Sequence, residues 1–226
     1  VGSSRFSYHG SAGWLGGVRL RIVIPANFVF LGSALSLGGA ALYVRDTWRG
    51  ETAPNRVTWS LWALEPILAY VLERQANVGL AAVWTLVLGC VPLVVLAASF
   101  HDPKSVWKVG RFDLVCGALS IVGMMVWALS GEQTIALVSF VTADAIAALP
   151  TLRKSFREPH TETAWNFIAS AVAAVITLLT LSRFTTAGAL FPMSVLVMNT
   201  TISTLVLTKV GVVSSPQANG TKAVSA

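Results

Sequence analysis

The sequence predicts an all-α, polytopic integral membrane protein: seven transmembrane helices arranged as three, one and three. Three observations predict it. The chain of 226 residues is 54% hydrophobic and only 12% charged, whereas soluble domains carry about 25% charged residues. Its apolar residues gather into seven stretches, most of them long enough to cross a hydrocarbon core of about 30 Å at 1.5 Å per residue. One loop pattern occurs twice, and each copy opens a group of three stretches.

Taken in order, the expected spans are 22–43, 59–72, 78–100, 112–130, 134–152, 163–181 and 187–207. The second is short and carries Glu65-Pro66 near its centre, so its start is expected earlier, near Asn55 or Arg56. Six spans with a buried re-entrant helix is the competing count. Residues 1–21 hold Gly, Ser and Arg without the apolar core of a cleavable signal peptide. Val1 in place of an initiator Met points to a start that lies upstream. Residues 210–226, which from Val213 carry Ser, Pro, Asn and Lys, read as a disordered cytoplasmic tail.

The loop charges set the orientation. With seven spans, Arg45, Arg49, Arg56, Lys104, Lys108, Arg111, Arg153, Lys154, Arg157, Lys209 and Lys222 fall on one side. Arg5, Arg19, Arg21, Arg74 and Arg183 fall on the other. Cytoplasmic loops carry the excess of Lys and Arg, which places the N-terminus outside and the C-terminus inside a plasma membrane of bacterial kind. The net charge of +6 is then explained by topology and anionic headgroups, not by nucleic acid. Cys90 and Cys116 both lie in apolar stretches and read as buried thiols, without a disulfide framework or zinc spacing.

The repeated pattern runs Leu42-Tyr43-Val44-Arg45-Asp46-Thr47-Trp48-Arg49-Gly50, then Pro54 and Trp59. Its second copy runs Leu149-Pro150-Thr151-Leu152-Arg153-Lys154-Ser155-Phe156-Arg157, then Pro159 and Trp165. Residues 22–100 form a first triplet, 112–130 a linker helix and 134–209 a second triplet. Two odd-numbered groups joined by one helix share one orientation, a repeat arrangement found in carriers.

This plan resembles the PQ-loop and SWEET-like membrane proteins. Pro150 matches the proline of that family's Pro-Gln pair, Thr151 stands in place of the glutamine, and Lys154 matches its basic position. In the first triplet Tyr43 stands roughly where the proline would be. The resemblance implies small-molecule transport by alternating access, without a cofactor.

Four residues are candidates for the solute site. Asp144 sits near the middle of the fifth span, where a carboxylate must face protein or water and marks function by default. Glu65 precedes Pro66 in the second span, where proline frees a carbonyl and kinks the helix. Asn199 offers donors and an acceptor in the last span; by resemblance it matches an Asn that contacts substrate, while the third span has Trp84 and Thr85 in the corresponding stretch. Trp62 offers an aromatic face. Each has a purely structural alternative: an interhelical hydrogen bond for Asp144 and Asn199, an interfacial position for Glu65, anchoring for Trp62. Trp59, Trp107, Phe112, Trp165 and Phe184 read as interfacial anchors, and Asn27 as structural. Pro66 and Pro150 are candidate hinges. Asp113 and Glu132 are expected to stabilise helix N-termini, Asp113 also pairing with Arg111 or Lys108.

Several chemistries are excluded. The last span has no mid-helix lysine for a retinal Schiff base. No phosphate-binding loop, HExxH or Cys/His cluster occurs, so no catalytic, metal or cofactor site is expected. The functional expectation is a carrier for a small polar or cationic solute. The alternative is a non-transporting structural or receptor subunit of a larger membrane assembly. A homodimer or a membrane protein partner fits either.

Overall fold

The computed structural model describes residues 24–25, 27–75, 80–101, 107–181 and 186–213. The chain is all-α: α1 Phe28–Trp48, α2 Arg56–Gln75, α3 Leu80–Ala98, α4 Arg111–Leu129, α5 Gln133–Arg157, α6 Trp165–Thr180, α7 Thr186–Thr208 and the short α8 Val210–Val213. A single 3-10 turn, Pro159–Thr161, joins α5 to α6. The expected N-terminal segment 1–21, the first two residues of the expected first span and the tail beyond residue 213 lie outside the described residues, as do Lys104, Arg183, Phe184 and Lys222.

Four stretches among the described residues are long and apolar enough to cross a membrane: Phe28–Trp48, Arg111–Leu129, Thr134–Arg157 and Ala189–Thr208. Gly89–Ala98 and Trp165–Thr180 are shorter apolar helices. Large apolar side chains are exposed on the outside of the bundle, among them Leu114, Val115, Leu119, Val122, Met125 and Leu129 along α4. A continuous apolar exterior of this kind is what a lipid solvent requires and water penalises. Cys90 belongs to that exterior: it is exposed, and only Cys116 is buried, because the outward face of a membrane helix is as apolar as its core.

Two expected ends are wrong in the same way. α1 and α5 run past the first charged residues, so Arg45, Asp46, Arg153, Lys154 and Arg157 are helical and not in loops. Two of these charges are buried and paired, Asp46 with the half-exposed Arg45 and Lys154 with the buried Glu162. α1 then stops where the chain reverses at Gly50, whose φ of 73° lies in the left-handed region that glycine enters without penalty. At the other end of the chain order, α5 starts on Glu132, whose carboxylate accepts the Thr134 and Ile135 N–H groups at 2.9 and 2.6 Å. These bonds hold that exposed carboxyl below its ordinary range. Asp113 serves α4 by accepting the Gly110 N–H at 2.7 Å. Its second partner is the Trp107 indole at 3.3 Å, not a basic side chain.

The helices pack with an internal echo. α3 lies against both α1 and α2, and α7 lies against both α5 and α6. Across the middle, α1 packs on α6 and α2 packs on α5. Exchanging α1, α2, α3 for α5, α6, α7 leaves this contact pattern unchanged. α4 stands outside it, against α5 and α2. The α1–α6 seam is close: a Cβ at Gly39 would meet the Ala169 Cβ at 2.7 Å and the Asn166 Cα at 3.0 Å. Burial repeats as well. Gly39, Ala40, Tyr43, Asp46 and Thr47 of α1 are buried in the same spacing as Ala147, Ala148, Thr151, Lys154 and Ser155 of α5. Tyr43 thus stands opposite Thr151, one residue on from the proline position expected for it.

Candidate functional site

Asp144, Glu65, Asn199 and Trp62, four residues from three helices, line one cavity of about 240 Å³. Every helix of the two triplets contributes to its wall: Ser36 and Leu37 from α1, Trp59, Trp62, Glu65 and Pro66 from α2, Val91 and Pro92 from α3. Phe140 and Asp144 come from α5, Asn166 and Ser170 from α6, and Phe191, Val195, Met198 and Asn199 from α7. α4 contributes nothing to it.

Position along each helix explains the convergence. α2 begins at Arg56, three residues before the expected span, so Glu65 lies halfway along a 20-residue helix and is 3% exposed. Asp144 lies near the middle of the 25-residue α5. It is flanked by Ala143 and Ala147, both fully buried, which let α2 and α4 approach closely. α2 packs on α5, and Glu65, Trp62 and Asp144 line the same cavity from these two helices. Glu65 Oε1 is buried and makes no hydrogen bond. Two ionised carboxylates offer only acceptors, and two like charges in one buried cavity favour a proton held between them. Asn199 donates one N–H to the Val195 carbonyl of its own helix at 2.8 Å, which leaves its oxygen and its second N–H for the cavity.

Aromatic layers bound the cavity. Phe140 and Phe191 pair at 5.1 Å between ring centroids. Phe140 lies one turn before Asp144 on α5 and Phe191 two turns before Asn199 on α7. In the opposite direction Trp59 packs on Trp62 at 5.3 Å and on Tyr43 at 4.7 Å, with Phe167 edge-on to Tyr43 at 6.1 Å. Trp59 is therefore not an interfacial anchor. It is 2% exposed, because the earlier start of α2 carries it a turn deep into the bundle. Trp165 and Phe112 are exposed, and Trp107 is partly buried.

Beyond the Tyr43 layer lies a second polar cluster. The Tyr43 hydroxyl donates to Glu162 Oε2 at 2.7 Å, and Lys154 Nζ donates to Glu162 Oε1 at 2.8 Å and to the Thr161 carbonyl at 3.0 Å. Lys154 also donates to the Ala53 carbonyl, while the Ala53 N–H donates to the Thr161 carbonyl at 2.9 Å. These bonds tie the loop after α1 to the loop after α5. The lysine side chain is fully buried. The basic ends of the helices gather around it: Arg153 stacks over Phe112 at 4.8 Å and Arg56 over Phe100 at 3.9 Å, with Arg56 donating to the Ser99 carbonyl at 2.7 Å.

Sequence reasoning missed Ser36, Asn166, Ser170 and Pro92 as wall residues. The spacing of buried positions carries a signal for two of them, since Ser36 stands to α1 as Asp144 stands to α5, and Ser170 to α6 as Trp62 to α2. α3 faces the cavity with Val91 and Pro92; the side chains of Trp84 and Thr85 lie outside the described residues. Asn27 is exposed at the start of α1. Pro66 and Pro150 both lie inside uninterrupted helices; Pro66 touches the cavity and Pro150 is fully buried away from it. Among the described residues no group of His, Cys, Asp and Glu could hold a metal ion. Comparison with known proteins returns no match to a family model, a curated protein or a solved structure.

Proposed function

We propose that this chain is a membrane carrier of seven transmembrane helices, three plus one plus three, that moves a small polar or cationic solute by alternating access. One observation carries the reading: a cavity at the junction of both triplets, walled by all six of their helices, with a carboxyl pair as its charge among the described residues. Midplane sites at a repeat interface are how such carriers hold solute. The resemblance to PQ-loop and SWEET-like proteins points the same way. The basic helix ends face the cytoplasm by the positive-inside rule, so the Tyr43, Lys154 and Glu162 cluster closes the inner side, and opening inward requires its bonds between the triplets to part. Pro66 and Pro150 are the hinge candidates for that motion.

Flux into proteoliposomes tests the reading. Solute uptake is expected to be abolished in Asp144→Asn, with the protein still folded and monodisperse. Equal flux in the variant and the wild type would remove Asp144 from the mechanism. Absence of flux for every solute tried, together with a stoichiometric co-purifying chain, would replace the carrier with a subunit of a larger assembly.

A further inference from the structure

The chemistry of the cavity narrows the solute. Its charge is entirely acidic: Glu65 and Asp144 are the charged groups among the described residues that line it. Glu65 Oε1 is a buried acceptor without a donor. A positively charged N–H group supplies what that oxygen lacks, and an apolar body suits walls that include Trp62 and Phe140, aromatic rings being attractive to cations. The volume, about 240 Å³, falls below the roughly 300–1,000 Å³ of pockets for drug-sized ligands.

Building on the carrier reading, we propose that the cavity takes a small organic ammonium, a primary or secondary amine with a compact apolar body, in exchange for the proton shared by Glu65 and Asp144. Before binding, the two carboxyl groups hold one proton and a net charge of −1. The incoming R–NH3⁺ takes the place of that proton, which passes to water, and both carboxylates accept from the ammonium. No covalent bond changes, and the net charge of the site is −1 on both sides of the exchange. One cation entering therefore releases one proton.

Among the described residues no other titratable group lines the cavity. α3 presents Val91 and Pro92, and α7 presents Met198 and Asn199. α4 sends Ser120 to the Ala143 carbonyl at 3.0 Å, while its Asp113 is engaged by Gly110 and Trp107 at the helix start. Tyr43 lies beyond Trp59 and is bonded to Glu162.

Benzylamine is a suitable probe, with benzyl alcohol as its uncharged counterpart. Purified full-length protein in detergent, weakly buffered with a pH indicator, is titrated with each while tryptophan fluorescence reports occupancy. Saturable benzylamine binding is expected, with about one proton released per amine bound and no response to benzyl alcohol. Where the pair is protonated, affinity is expected to fall about tenfold per pH unit as the medium is acidified. Asp144→Asn and Glu65→Gln should each abolish proton release. Binding without proton release, or equal binding of benzyl alcohol, overturns the proposal, and the wild-type pH series decides it even if a variant fails to fold. Amine binding with proton release but no flux in proteoliposomes breaks the carrier reading and leaves this site standing. Flux of a neutral solute without amine binding does the reverse.

Discussion

Two buried polar clusters sit on either side of Trp59, and they are built on opposite principles. Toward the basic helix ends, Lys154 and Glu162 are of opposite sign, and Tyr43 and two backbone carbonyls supply further partners. In the cavity, Glu65 and Asp144 are of like sign, and one carboxyl oxygen is unpartnered. A complete network fixes a conformation, because removing any member strands another in a medium that cannot solvate it. An incomplete one of like charges is left with a vacancy for a cation or proton. Burial alone therefore does not mark a binding site; the difference lies in whether the buried groups satisfy one another.

The largest effect is expected from Lys154→Met, which leaves Glu162 buried without its cation. Unfolding in detergent should show a loss of about 3–5 kcal/mol. A loss no greater than that of the cavity variants would erase the contrast between the clusters. Tyr43→Phe takes one donor from the same carboxylate and keeps the packing against Trp59 and Phe167. It should cost about 1–3 kcal/mol, read from the same unfolding curves.

Asp144→Asn tests the other side of the comparison. An amide keeps the shape and replaces one member of a pair that carries a single negative charge, so stability should change by less than about 1 kcal/mol while uptake is lost. The smallest effect belongs to Glu132, exposed at the start of α5 and in neither cluster. Its carboxyl is held below the ordinary range by the Thr134 and Ile135 N–H groups. The stabilisation it gives is complete above the ordinary carboxylate range and is lost as pH falls through its lowered value. Melting temperatures of wild type and Glu132→Gln should thus differ slightly at neutral pH and converge in acid.

Much of this architecture was legible in the sequence, for a physical reason. Lipid demands long apolar runs, so helices announce themselves, and a carboxylate inside such a run stands out. Asp144, Glu65, Asn199 and Trp62 were visible on that ground, and the structure brings them to one cavity. Ser36, Asn166 and Ser170 were not, because small polar residues are ordinary in membrane helices and each matters only through the face it occupies. The Lys154 cluster was hidden differently. Lys154 stands beside Arg153 and reads as a loop charge, while Tyr43 and Glu162 are far apart in sequence. Only the packing of α1 against α6, and of the two loops on each other, makes them one network.

The echo between the halves is broken at its most consequential place. Where burial pairs Asp46 with Lys154, the first half has an anion, held locally by Arg45 at 2.8 Å. The second half has a cation that reaches across to Ala53. An assembly of two identical halves must place the same residue at both positions. Two copies of the second half would bury two lysines and forgo Asp46; two copies of the first would lack Lys154 and Glu162 altogether. The halves have thus ceased to be interchangeable parts: each is fitted to the other as the two sides of a heterodimer are, and the linker helix keeps them in one polypeptide at equal dose.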